Sequence, residues 1–224
     1  MPEIHRHPST NFNDRKLPIS LIILHYTGME TGAAALERMC DPGAEVSAHY
    51  MVEESGRILQ LVDDEKRAWH AGLSFWQGER DINSASIGIE IVNGGHDFGL
   101  PDYPDAQIRA VIVLVQALMR LHGLSADRVI GHSDVAPARK ADPGEHFPWP
   151  VLAGAGCAVA LTPRDGAVDP EAALAQIGYD PEVSMDDAVT AFQRRHRPSR
   201  IDGLLDGETR ALLAAAMRAY PSPG

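Results

Sequence analysis

Two short apolar runs in the first part of the chain end at histidine residues. Residues 19–24, Ile-Ser-Leu-Ile-Ile-Leu, form a nearly continuous apolar run of the kind found in strands that are buried on both faces. This run stops at His25. Residues 128–131, Arg-Val-Ile-Gly, predict another short strand, which stops at His132. Both histidines are therefore expected at the carboxyl ends of buried strands, where open α/β sheets bind their ligands.

Other patterns in this part of the chain predict further strands and one long helix. Residues 46–53 and 57–62 flank Glu-Ser-Gly and predict a β-hairpin. Residues 86–92 alternate, so that three isoleucines share one face of a strand. A helix is predicted to begin at Asp105 and to be ended by Gly123, because apolar residues recur between them at helical spacing. Strands that alternate with helices predict an α/β fold with a mixed β-sheet covered by helices.

The last part of the chain predicts a small all-α domain of three helices. Asp169, Ser184 and Asp206 are the expected N-caps, Gly178 closes the first helix, and the third extends to Tyr220. Each helix is too short to be stable alone, so the three are expected to pack together.

Glycine and proline residues separate the two parts. The predicted organisation is an α/β domain at 1–152, a linker at 153–166 and a three-helix domain at 167–220. If the three helices form an independent module, two separate hydrophobic cores with few contacts between them are expected. The alternative is that the helices pack over the core of the first domain and leave apolar surface exposed when they are removed.

Composition excludes several classes of protein. The 224 residues are 44% hydrophobic and 23% charged, as in globular proteins with a real core. A net charge of 20 − 31 = −11 argues against binding nucleic acid or an anionic membrane, and no apolar run is long enough for a membrane span. Cys40 and Cys157 are expected to be free thiols, because they form no CxxC pair. The polar first residues carry no apolar signal segment, so we expect a cytoplasmic protein, or a periplasmic one if a leader has been removed.

The candidate chemistry centres on a metal site. His25 and His132 are expected to converge at the strand ends, and Asp142 lies in a proline- and glycine-stiffened loop after His132. Two histidines and a carboxylate with one open position are a catalytic zinc arrangement, so we expect one Zn²⁺ per chain. A non-haem iron oxygenase uses a similar ligand set, but its carboxylate normally lies two residues from one histidine on the same strand.

Two further charged residues are candidate catalytic groups. Glu90 lies in the apolar strand Ile-Gly-Ile-Glu-Ile-Val, where an unpaired charge is costly, which indicates either a buried ion pair or a general base. Lys140 precedes Asp142 by two residues and either stabilises an oxyanion or is simply solvated.

Five motifs together resemble the type-2 zinc N-acetylmuramoyl-L-alanine amidases. They are residues 24–28 (Leu-His-Tyr-Thr-Gly), 47–50 (Ser-Ala-His-Tyr), 68–72 (Ala-Trp-His-Ala-Gly), 87–93 (Ile-Gly-Ile-Glu-Ile-Val-Asn) and 131–144. The resemblance implies zinc on His25, His132 and Asp142, with Glu90 and Lys140 as catalytic residues. Some relatives carry a catalytic tyrosine where this chain has Ala48, so the chain resembles the bacterial branch, in which a glutamate takes that role.

The C-terminal part resembles the three-helix peptidoglycan-binding domain. The matching segments are residues 177–180, 188–194 and 201–210, although the Asp-Gly pairs of the last segment also suit ordinary turns and caps. Together the two resemblances imply hydrolysis of the amide between N-acetylmuramic, or 1,6-anhydro-N-acetylmuramic, acid and L-alanine. The expected binding partners are peptidoglycan fragments or muropeptides, with no obligate protein partner. The expected roles are peptidoglycan turnover and recycling.

Two alternatives stay open from the sequence. One is a non-catalytic peptidoglycan-binding protein with a vestigial amidase fold. The other concerns the Ala-Trp-His-Ala-Gly segment: Trp69, His70 and Asn93 either line the substrate groove or belong to the core.

Overall fold

A computed structural model describes residues 2–220. Within them the strands are β1 (Ile4–Arg6), β2 (Phe12–Asp14), β3 (Leu21–Tyr26), β4 (Tyr50–Val52), β5 (Ile58–Gln60), β6 (Lys66–Ala68), β7 (Ser86–Ile91) and β8 (Val129–Gly131). The α-helices are α1 (Gly32–Cys40), α2 (Ile82–Ala85), α3 (Asp105–His122), α4 (His132–Val135), α5 (Trp149–Gly154), α6 (Pro170–Ile177), α7 (Met185–His196) and α8 (Gly207–Ala219).

Six of these strands form one mixed sheet in the order β1-β5-β4-β7-β3-β8. The central strands β4, β7, β3 and β8 pair in parallel, whereas β4 and β5 are the antiparallel arms of the predicted hairpin. Strands β2 and β6 pair separately. The predicted mixed sheet covered by helices is confirmed.

One face of the sheet packs against the long helix α3. The predicted alternation is confirmed, because the three isoleucines of β7 point to this face together with Ile22 and Leu24 of β3. Apolar residues of α3, among them Val111, Leu114 and Val115, complete the cluster. Gly123 ends α3 in the left-handed conformation at φ 66°, which glycine adopts without a steric cost.

The opposite face of the sheet packs against the C-terminal helices. Leu21 and Ile23 of β3 and Ile130 of β8 belong to the same buried cluster as Phe192 of α7 and Leu213 of α8. The expectation of two separate cores is therefore wrong. The predicted caps Asp169, Ser184 and Asp206 do begin α6, α7 and α8, but these helices use their apolar stripes to cover the sheet as well as one another.

Two other predictions differ from the structure in detail. Strand β3 does not stop before His25 but continues to Tyr26, because His25 and Tyr26 still pair with β7. Helix α1 was not predicted, since only Ala35 and Met39 of its residues are buried and this leaves a weak apolar stripe. Its N-cap, Thr31, was the available signal.

No helix within residues 2–220 is long and apolar enough to cross a membrane.

We predict that truncation after residue 162 destabilises the rest of the chain. Without α6–α8, the side chains of Leu21, Ile23 and Ile130 lose their cover and expose an apolar patch. The truncated protein should melt at a lower temperature than the full chain and should aggregate, as measured by calorimetry and light scattering.

The control is a full chain cleaved at a protease site inserted in the linker at 153–166. Its two fragments should elute together from a sizing column because they share a core. If the fragments separate and the larger one keeps its melting temperature, the two parts of the chain have independent cores and the prediction is wrong.

Candidate active site

Strand pairing brings His25, Glu90 and His132 together at the carboxyl ends of the parallel strands β3, β7 and β8. His25 of β3 lies beside Glu90 of β7 in parallel register, so both side chains point to the same face. Gly131, the last residue of β8, lies beside Leu24 of β3. The next residue, His132, is therefore at the level of His25.

Three ligand atoms converge at this point. His25 Nδ1 lies 2.9 Å from His132 Nδ1 and 3.0 Å from Asp142 Oδ2, and His132 Nδ1 lies 2.9 Å from the same carboxylate oxygen. All three residues are buried. Within residues 2–220 they form a group that could hold a metal ion.

Hydrogen bonds on the far side of each ring determine which nitrogen carries the proton. His132 Nε2 lies 3.0 Å from the carbonyl oxygen of Ala71 and must donate to it. His25 Nε2 lies 3.0 Å from His70 Nδ1. With protons on both Nε2 atoms, both Nδ1 lone pairs point toward Asp142.

The direction of the bond between His25 and His70 follows from the residues behind them. Ser86 Oγ donates to the carbonyl oxygen of Ile82 over 2.6 Å, so it accepts from His70 Nε2 at 3.3 Å. His70 Nδ1 then has no proton and accepts from His25. Gly88 of β7 makes room for this arrangement, because a Cβ atom there would overlap the His70 ring.

The residues present fit a divalent metal ion. Burial lowers the pKa of His25 to about 4, so its ring is neutral at pH 7. Burial alone would raise the pKa of Asp142, but His132 and His25 hold it below its ordinary value, so the carboxylate is ionised. Two lone pairs and a carboxylate facing one another repel unless a cation lies between them. Donors around a tetrahedral zinc ion lie about 3.3 Å apart, close to the 2.9–3.0 Å seen here.

Glu90 is a partly buried carboxylate next to this group. Its Oε2 atom is buried and has no hydrogen-bond partner in the described part of the chain. Burial raises the pKa of Glu90 well above its usual range; the charge of Asp142 acts in the same direction and that of Lys140 opposes it. Among residues 2–220, Glu90 thus has no ion pair of the kind that the sequence left open.

The three candidate substrate residues occupy different environments. Trp69 is partly exposed and lines a cavity of about 360 Å³ together with Asn13, Arg67 and Asn83. His70 is buried behind His25, as described above. Asn93 is also buried, and its side chain donates to the carbonyl oxygen of Pro101 and accepts from the amide of Gly95.

Sequence reasoning therefore missed the contact between His70 and His25. The available signal was Gly88 inside an otherwise apolar strand, since a glycine at such a position often marks the close approach of another group.

Comparison with solved structures shows close similarity over most of the chain. AmpDh3 of Pseudomonas aeruginosa, in complex with anhydromuramic pentapeptide, superposes with a TM-score of 0.83 at 32% identity and 96% coverage of both chains. The Escherichia coli N-acetylmuramyl-L-alanine amidase AmiD, bound to anhydro-N-acetylmuramic acid-L-Ala-D-gamma-Glu-L-Lys, superposes with a TM-score of 0.80 at 32% identity and 90% coverage of both chains.

Comparison of sequences leads to the same family. N-acetylmuramoyl-L-alanine amidase AmiD of E. coli K12 is 33% identical over 90% of this chain and 83% of its own length. The 1,6-anhydro-N-acetylmuramyl-L-alanine amidase AmpD of Haemophilus influenzae is 34% identical over 63% of this chain and 85% of its own length. The profile of the Amidase_2 family matches residues 15–145, which include all three converging ligands and Glu90. The chain therefore belongs to the Amidase_2 family, the N-acetylmuramoyl-L-alanine amidases.

Proposed function

We propose that the protein is a zinc-dependent hydrolase of the amide bond between N-acetylmuramic, or 1,6-anhydro-N-acetylmuramic, acid and L-alanine in muropeptides or peptidoglycan. The observation that carries this proposal is the buried group of His25, His132 and Asp142 beside the unpaired carboxylate of Glu90. A vestigial, purely binding protein has no need for these costly buried groups. An intact set of ligands and acid–base residues therefore favours the enzyme.

His25, His132 and Asp142 are the residues that would hold zinc. Zinc, when bound, supplies a Lewis acid that polarises the scissile carbonyl and makes a water molecule more acidic. His70 and the carbonyl oxygen of Ala71 keep the ligand rings in the tautomer that presents Nδ1.

Glu90 is proposed as the general base. Its side chain points to the same face of the sheet as His25, on the neighbouring strand. Its carboxylate would accept a proton from the attacking water while a new C–O bond forms at the carbonyl carbon. When the C–N bond breaks, the same proton would pass to the amino group of L-alanine, which leaves as a neutral amine.

Lys140 is proposed to stabilise the negative charge that develops on the carbonyl oxygen. Its backbone amide donates to the carbonyl oxygen of Ala136 over 2.9 Å, and the residue is only partly exposed. An ammonium group near both His25 and Glu90 compensates the oxyanion of the tetrahedral intermediate.

Two cavities suit the two parts of the substrate: Glu90 lines one of them, and Trp69, the residue before His70, lines the other. A cavity of about 190 Å³ leads away from Glu90 and is lined by apolar side chains, with Arg38 as its cationic member. The cavity beside Trp69 offers an aromatic ring and polar side chains, which suit a sugar. The molecules bound to AmiD and AmpDh3, both anhydromuramyl peptides, are the chemical class of substrate that we propose for this chain.

We also propose that the C-terminal helices bind the peptidoglycan polymer. A groove of about 200 Å³ runs between α6 and α7 and is lined by Glu171, Leu174, Tyr179 and Met185, among others. Leu174 and Tyr179 form its floor and also belong to the core shared with the sheet, whereas Glu171 and Met185 are the exposed side chains that a polymer could contact.

For the metal, we predict one zinc ion per chain in the protein purified without chelators. His25→Ala and Asp142→Ala should lose the ion and the activity, because each removes a ligand. His5→Ala is the control, since His5 lies on the surface. Metal analysis and activity before and after chelation provide the measurement. Iron in place of zinc, or full activity without metal, would contradict the proposal.

For the general base, we predict that Glu90→Gln lowers kcat by about 10²- to 10⁴-fold. The amide has nearly the same shape but cannot accept the proton, so zinc content and melting temperature should stay at wild-type values. Glu53→Gln, in the β4–β5 hairpin, should have no effect. A loss of less than about tenfold in the Glu90 variant would make this residue structural.

For wall binding, we predict that the inactive Glu90→Gln protein sediments with purified sacculi. Adding Met185→Arg should weaken the sedimentation, because a long charged side chain fills the groove. The matched control is Val113→Arg, at a comparably exposed apolar position on α3. It should leave the sedimentation unchanged. If the Met185→Arg and Val113→Arg versions of the inactive protein bind sacculi equally well, the groove does not bind the polymer.

A further inference from the structure

The short helix α4 organises the part of the site that follows β8. It begins with His132, and the amide of Ser133 donates to the carbonyl oxygen of Asp142 over 2.8 Å. The carbonyl oxygen of Ala136, just after α4, accepts from the amide of Lys140. One turn of backbone therefore positions two of the converging ligands and the lysine.

Asp134 lies at the centre of this turn and is fully buried. Its Oδ2 accepts from the amide of Gly131 at 2.8 Å and from Arg195 Nη1 at 2.6 Å. Its Oδ1 accepts from the hydroxyl of Tyr179 at 2.8 Å. Only the first of these donors belongs to the sheet region, since Tyr179 follows α6 and Arg195 lies in α7.

Arg195 reaches from α7 into the sheet at a second point. Its Nη2 donates to the carbonyl oxygen of Val129, the first residue of β8, over 2.8 Å. Its guanidinium also lies 4.1 Å from the centre of the Trp149 ring. This one buried side chain thus holds both the strand before His132 and the turn after it.

We propose that Tyr179 and Arg195 are positioning residues of the amidase reaction, through which the C-terminal helices hold the turn that carries His132. The inference rests on the proposed function, because it concerns the zinc ligands. Loss of Arg195 leaves the buried carboxylate of Asp134 without its counter-charge, and such a group pulls in water or moves. Any movement of α4 displaces His132 and, through the backbone bonds, Asp142 and Lys140.

Arg197 provides a matched control in the same helical region. It is as deeply buried as Arg195, with 3% of its surface exposed against 4%. Its partners, Asp202 and Asp206, both belong to the C-terminal part of the chain. Removing Arg197 therefore breaks the ion pairs of an equally buried guanidinium, with carboxylate partners that are more exposed than Asp134, without touching the turn.

The experiment compares Tyr179→Phe, Arg195→Met and Arg197→Met in the full chain. The measurements are the zinc dissociation constant by competition with a chelator, kcat and KM on a soluble anhydromuramyl tripeptide, and the melting temperature. Arg195→Met should weaken zinc binding about tenfold or more and lower kcat. Tyr179→Phe, which loses a single hydrogen bond, should weaken zinc binding about threefold. Arg197→Met should lower the melting temperature but keep wild-type zinc affinity and kcat.

Wild-type zinc affinity in both Tyr179→Phe and Arg195→Met would overturn the inference, as would an equal loss in Arg197→Met. If Arg195→Met does not fold, the zinc affinity of Tyr179→Phe compared with that of Arg197→Met decides the question. A wild-type protein that binds zinc but does not cleave the tripeptide would refute the proposed function alone, and the comparison of zinc affinities would still decide the inference.

Discussion

Two imidazole lone pairs and a carboxylate oxygen, buried within 3.0 Å of one another, are the constraint on which the rest of this structure depends. Such groups repel when no cation separates them, and burial removes the water that would otherwise weaken the repulsion. The fold must therefore hold them in place against this repulsion. It does so from three directions: through the sheet, through hydrogen bonds behind each ring, and through the C-terminal helices.

The sheet supplies the first of these supports. Parallel pairing of β3 with β7 and β8 sets His25, Glu90 and His132 at one level, and the strands cannot slip by one residue without turning their isoleucines out of the core. The apolar face that packs on α3 thus determines where the polar groups of the other face lie.

Hydrogen bonds supply the second support, because they determine the direction of each lone pair. The chain of donors from His25 through His70 and Ser86 ends at a backbone carbonyl, so no tautomer is left undecided. His70 is for this reason hydrogen-bonded to His25 rather than standing apart in the core. The third support, the pair Tyr179 and Arg195, joins helices from the end of the chain to the same site.

The sequence by itself determined the central strands, the long helix, the three C-terminal helices with their caps, and the residues of the converging group. These features depend on local periodicity, on capping and on motifs, all of which are written in neighbouring residues. Only the tertiary structure decided that the C-terminal helices share a core with the sheet, since an apolar stripe does not specify its partner. For the same reason it alone revealed the contacts of His70 with His25, 45 residues away, and of Arg195 with Asp134, 61 residues away. Contacts over such separations depend on how the chain folds back on itself, which no local pattern records.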